Sequence, residues 1–170
     1  MDSGHALQAA KATLSLGCLR FEQGEHDKAE ALLSRASSHP ATAPEAEFQL
    51  AQVFMQTGRF AEAESAVRRA IATSYQPIAG QAHALLGWLL HNNGNRTAAE
   101  AAYQDAIAIG DPKVTAQVTY FLGILYCERN EFQGAAAAFE CAARSEQPRV
   151  ALDAQQALDE LRREHRDDLY

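Results

Sequence analysis

The feature that most constrains this chain is a periodicity close to 34 residues. Leu16-Gly17, Leu50-Ala51, Leu86-Gly87 and Leu122-Gly123 recur at steps of 34, 36 and 36. Ala29, Ala63, Ala99 and Ala135 recur in the same steps. Each is followed four residues on by a bulky side chain, Leu33, Val67, Tyr103 or Phe139, and three further on by Ala36, Ala70, Ala106 or Ala142. A period of this length marks an array of small units, none able to bury its apolar face alone, which stack on one another to make a continuous core. The units are set at 10–43, 44–77, 80–113 and 116–149, with Ile78-Ala79 and Val114-Thr115 as two-residue insertions.

Each unit divides into two helices at a turn. The turns are centred on Gly24, Gly58, Gly94 and Asn130. A helix C-terminus that ends in a left-handed residue takes glycine, or asparagine in its place. Pro40, Pro44, Pro77, Pro112 and Pro148 fall between units, where proline closes one helix and is tolerated in the first turn of the next. Asp111-Pro112 reads as an N-cap followed by proline at the first helical position. Alanine makes up about a fifth of the chain and apolar residues 47%, which suits closely packed helices and not strands. The small residues at 17, 51, 87 and 123, met by the alanines at 29, 63, 99 and 135, let the two helices of a pair approach closely. A large side chain there costs ~1–3 kcal/mol by overpacking.

These residues resemble the tetratricopeptide repeat, whose pattern is W-x2-L-G-x2-Y, then A-x3-F, then P. The fourth unit matches best, with Leu122-Gly123, Tyr126, Ala135, Phe139 and Pro148; the third matches with Leu86-Gly87, Ala99, Tyr103 and Pro112. The first aromatic of the pattern is replaced by Thr13, Glu47, His83 or Thr119, and the tyrosine by Arg20 in the first unit and Leu90 in the third. The resemblance covers about four-fifths of the chain. It implies an all-α, right-handed superhelical solenoid of antiparallel helix pairs, about nine helices forming one domain over 1–170. Val150, Ala154, Ala157, Leu158, Leu161 and His165 form an apolar stripe opposite polar residues that include Asp159, Asp167 and Asp168. This amphipathic helix, expected over 150–169, would cap the last unit with a polar face.

The net charge of −7 argues against a nucleic-acid or anionic-membrane binder, both of which need a basic footprint. No apolar run approaches the ~18 residues of a membrane helix, and the first residues carry no secretory pattern. Cys18, Cys127 and Cys141 are an odd, widely spaced set with no zinc or redox motif, the pattern of a cytoplasmic protein with free thiols. Asn95-Arg96-Thr97 is formally a glycosylation acceptor, taken as chance without a secretory route. No nucleophile, phosphate-loop, dinucleotide or metalloprotease motif is present. His83 and His91, eight apart on one helix, lie about 12 Å apart along its axis, too far to share a metal unaided. The expectation is therefore no catalytic residues, no cofactor and no metal.

In the family, the first helix of each pair lines a concave groove. That face carries Lys11, Leu14, Ser15, Cys18, Phe21 and Glu22 in the first unit and Glu45, Phe48, Gln49, Gln52, Met55 and Gln56 in the second. Gln81, Ala84, Leu85, Trp88, His91 and Asn92 follow in the third, and Gln117, Tyr120, Phe121, Ile124, Cys127 and Glu128 in the fourth. Aromatic anchors between adaptable amides suit recognition of a peptide. Each apolar member is equally suited to core packing; Phe21 and Ile124 are assigned to the core. Phe48, Gln52, Trp88, His91, Tyr120 and Phe121 are the candidate partner-binding residues. Some relatives clamp a partner's C-terminal carboxylate with lysine, asparagine and arginine. The corresponding positions here, Leu14, Cys18, Gln52, Gln81 and Leu85, supply no such cations. The expected function is a non-catalytic adaptor, scaffold or chaperone-like module holding an apolar or aromatic protein segment. A homo-oligomer, such as a homodimer, and a small-molecule-sensing regulatory domain are the alternatives.

Overall fold

The computed structural model describes residues 3–73 and 75–165. Among them are nine helices: α1 (Ser3–Glu22), α2 (His26–Ala36), α3 (Ala43–Gln56), α4 (Phe60–Ala72), α5 (Gln76–Asn92), α6 (Arg96–Ile109), α7 (Pro112–Glu128), α8 (Phe132–Ala143) and α9 (Pro148–Glu164). The fold is an all-α helical repeat. The helix expected over 150–169 corresponds to α9, which begins at Pro148; Asp167, Asp168 and the other residues after His165 lie outside the described residues.

One device closes the first helix of all four pairs. Gly24, Gly58 and Gly94 have φ of 75°, 75° and 77°, and Asn130 has φ of 58°. The residue after each donates its N–H five residues back: Glu25 to Arg20 O at 2.9 Å, Arg59 to Phe54 O at 2.8 Å, Asn95 to Leu90 O at 2.9 Å and Glu131 to Tyr126 O at 2.9 Å. This left-handed closure satisfies carbonyls that the helix end leaves without partners. Two helix starts are held by side chains: Asp111 Oδ1 accepts from the Lys113 N–H at 2.9 Å at α7, and Asn95 Oδ1 from the Ala98 N–H at 3.3 Å at α6. Thr42, fully buried before α3, donates its hydroxyl to Ala36 O at 2.6 Å and so ties the end of α2 to the start of α3.

The chain forms two compact units, Met1–Leu89 and Leu90–Tyr170, with the boundary inside α5. In the first, α2 packs on α1, α3 on α2 and α4 on α3. Ala29, Leu33, Ala51, Ala63 and Val67 are all sealed from solvent there. Arg59 lies 4.4 Å above the Phe54 ring and donates to Glu30 at 2.6 Å, linking the second pair to the first. In the second unit α6 packs on α7, α7 on α8 and α8 on α9. Gly123 of α7 lies against the Phe139 ring of α8. Ala135 and Phe139 form a cluster with Leu158 and Leu161 of α9, so the apolar stripe of α9 covers α8 as its amphipathicity requires. Arg129 donates to Glu100 at 2.6 Å, and the Tyr126 hydroxyl donates to the same carboxylate at 3.2 Å.

Candidate functional site

The residues of the candidate face separate by burial. In the Met1–Leu89 unit Phe48 is only 6% exposed and its ring belongs to the packed interior. Neighbouring Gln52 is half-buried. Trp88 is also half-buried, and its ring lies 6.2 Å, tilted by 52°, from the exposed Phe60.

The same unit holds a concavity of about 780 Å³ along α1. Lys11, Leu14, Ser15, Cys18 and Glu22 line it with Glu45 of α3, six members of the face read from the sequence. Leu7, Leu19 and Tyr75 also line it and were not anticipated. Leu19 was legible: Ser15, Cys18, Leu19 and Glu22 follow the i, i+3, i+4, i+7 spacing of one helix face. Tyr75 had no such signal, because it precedes α5 in a loop. Burial raises the Cys18 thiol pKa, and the charges of Glu45 and Glu22 push it further the same way. Such a thiol is a poor nucleophile at neutral pH.

In the second unit His91 and Glu128 meet: His91 Nε2 lies 3.0 Å from Glu128 Oε1, and Arg96 Nε donates to Glu128 Oε2 at 2.7 Å. The Arg96 guanidinium, seconded by His91, holds the Glu128 carboxyl below the usual carboxylate range. His91 is thereby fixed by a carboxylate that the sequence places on the same face. Tyr120 packs at 5.8 Å against both Phe121 and Phe139, and Phe121 stacks on the sealed Tyr103 at 6.0 Å. Tyr120 and Phe121 both keep partial exposure. A second cavity, of about 370 Å³, lies between Tyr120, Ile124 and Cys127 of α7 and Ala157, Leu161 and Glu164 of α9. Phe132 at its edge stacks on His165 at 3.8 Å. Burial raises the Cys127 thiol pKa as well.

Among the described residues no group of three or more His, Cys, Asp or Glu side chains is placed to hold a metal ion. None of the helices is long and apolar enough to cross a membrane. What the arrangement offers is surface: partly exposed rings and apolar concavities bordered by amides and carboxylates.

Residues 48–114 match the tetratricopeptide-repeat family model. Several solved structures share the fold. MamA is 20% identical, with 95% of this chain and 91% of that one aligned and a TM-score of 0.70. The MamA fragment 41-end from Desulfovibrio magneticus RS-1 is 17% identical over 95% of this chain and 87% of that one, with a TM-score of 0.76. BtubC (BKLC) from P. vanneervenii is 17% identical over 99% and 78%, with a TM-score of 0.82. At such identities the likeness is one of fold. No curated protein sequence matches the chain. The partial family match and the shared fold support a helical-repeat module of the protein–protein interaction class, which is typically non-catalytic. The tetratricopeptide-repeat match covers residues 48–114, and over the rest of the described chain the likeness is one of fold.

Proposed function

We propose that this protein is a cytoplasmic adaptor or scaffold, chaperone-like in holding its client, that binds an apolar or aromatic segment on the face built by the first helix of each pair. In this reading residues 1–170 are one domain of four repeats, 10–43, 44–77, 80–113 and 116–149, closed by a capping helix over 150–169. Gln52, Trp88, His91, Tyr120 and Phe121 contact the partner, while Phe48 supports the face from beneath.

One observation carries the reading. The bulky residues of the second helices, Leu33, Val67, Tyr103 and Phe139, are at most 2% exposed. The aromatics of the first helices α5 and α7 (Trp88, Tyr120 and Phe121) keep part of their rings in solvent. These rings pack on their inner sides and leave an outer part in water, the arrangement that partner recognition uses. The test is affinity capture with Trp88→Ala and Tyr120→Ala beside the unaltered protein, each shown by circular dichroism to be folded. A protein retained by the parent and lost by either variant supports the assignment; equal retention by all three refutes it. A second reading, a homodimer, rests on Leu16 and Leu19 of α1, exposed by 40% and 46%. It requires a mass in light scattering that rises with concentration.

A further inference from the structure

We propose that the concavity along α1 receives a protein segment in which a lysine or arginine stands beside a leucine or aromatic side chain. The proposal rests on the reading that this protein binds protein segments, and it adds the chemistry of what one part of the surface selects.

The lining is mixed, with apolar side chains interleaved among polar and charged ones. Leu7, Leu14, Leu19 and Tyr75 line the concavity, and Leu19 and Tyr75 are 46% and 41% exposed. Exposed large apolar side chains gathered in one hollow mark an interaction surface.

Charge then selects among apolar partners. The Met1–Leu89 unit contains seven glutamates. Glu25, Glu30, Glu47, Glu62 and Glu64 are each paired with an arginine at 3.1 Å or less. The remaining two, Glu22 and Glu45, make no ion pair among the described residues, and they are the two that line the concavity. They come from different helices, α1 and α3, and line one hollow with Cys18, on whose thiol both charges act. Lys11 also lines it, but stands eleven residues from Glu22 on α1, roughly 16 Å along the axis. A hollow with low-dielectric walls focuses such a field and favours a cation. A lysine or arginine fits both elements at once, laying its methylene stem along the leucines while its head reaches the carboxylates.

The test uses two fluorescein-labelled peptides, one alternating leucine with lysine and the other with glutamate in place of each lysine. Fluorescence anisotropy is read at physiological salt against four forms of the full chain. These are the unaltered protein, Glu22→Gln/Glu45→Gln, Leu19→Ser, and Asp27→Asn/Glu146→Gln, which removes the same number of charges elsewhere. Only the lysine peptide is expected to bind. Its affinity should fall about fivefold in Glu22→Gln/Glu45→Gln, as two exposed charge contacts warrant. It should also fall in Leu19→Ser and hold in Asp27→Asn/Glu146→Gln. Equal loss in both charge variants would reduce the effect to the general acidity of the chain and overturn the proposal. No binding of either peptide, or no loss in Glu22→Gln/Glu45→Gln, would also overturn it. Equal binding of both peptides, weakened by Leu19→Ser alone, would overturn the charge selection while leaving the apolar binding face standing. If Leu19→Ser fails to fold by circular dichroism, the glutamine variants decide the matter alone.

Discussion

Gly123→Ala puts the packing of the helix pairs to a quantitative test. A Cβ on Gly123 would lie 2.5 Å from Phe139 Cε1, 2.6 Å from Cδ1 and 2.9 Å from Cζ. Carbon atoms rest at about 3.5–4.0 Å, so either the ring turns or α7 and α8 separate by about 1 Å. The ring has little freedom: it is 2% exposed and packs among Ala135, Leu158 and Leu161 with Tyr120 beside it. Overpacking of this kind costs ~1–3 kcal/mol, against a helix-propensity gain from glycine to alanine of about 1 kcal/mol. Gly134→Ala is the control. Its Cβ would meet Tyr126 at 3.5 Å, an ordinary contact, so only the gain should appear. Urea unfolding followed by helical circular dichroism should place Gly123→Ala about 2 kcal/mol below Gly134→Ala, with unchanged m-values. In a chain of this size that corresponds to roughly 4–8 °C in Tm. Equal stability of the two variants would refute the argument that the close approach of α7 and α8 requires a residue without a side chain.

Three further outcomes follow from the buried and charged groups. The Tyr103 hydroxyl is buried with no hydrogen-bond partner among the described residues, so Tyr103→Phe should hold or gain about 1 kcal/mol in urea unfolding, and a loss of that size would show that the hydroxyl is satisfied. Glu128 has its pKa lowered by Arg96 and His91 in the folded state, so its stabilising contribution is present above the ordinary glutamate pKa of about 4.3 and is lost as pH falls below it; Glu128→Gln should flatten the fall in stability below about pH 5, and an unchanged slope would count against the triad. Cys141 is exposed, whereas Cys18 and Cys127 are half-buried with thiol pKa values raised by burial. A thiol reagent at mildly alkaline pH should therefore modify Cys141 first, and faster modification of Cys18 would contradict the burial along α1.

The turn residues show how much was legible in advance. Gly24, Gly58, Gly94 and Asn130 take left-handed backbone at the expected positions, because the choice between left- and right-handed closure depends on the residue itself. Asp111 caps α7 for the same local reason. The small residues of the α7–α8 contact were legible because a repeat confronts the same inter-helix distance in every copy. Burial on the recognition face was not legible. Helical spacing groups Phe48 with Trp88 and Tyr120, yet Phe48 is sealed while the other two rings are half-open. Tyr75 enters the concavity from a loop that no periodicity describes.

The sequence by itself therefore determined the turns that close the first helices and the apolar stripe of α9, since each depends on residues within one repeat length. Only the tertiary structure decided which side chains of a common face stay in water, that Glu128 joins His91 to Arg96, and that, among the described residues, Glu22 and Glu45 are the glutamates of their unit without an arginine partner. These are distances of a few ångströms between side chains of different helices. They depend on how each helix is rotated against its neighbours, a quantity that a period of 34 residues repeats but does not specify.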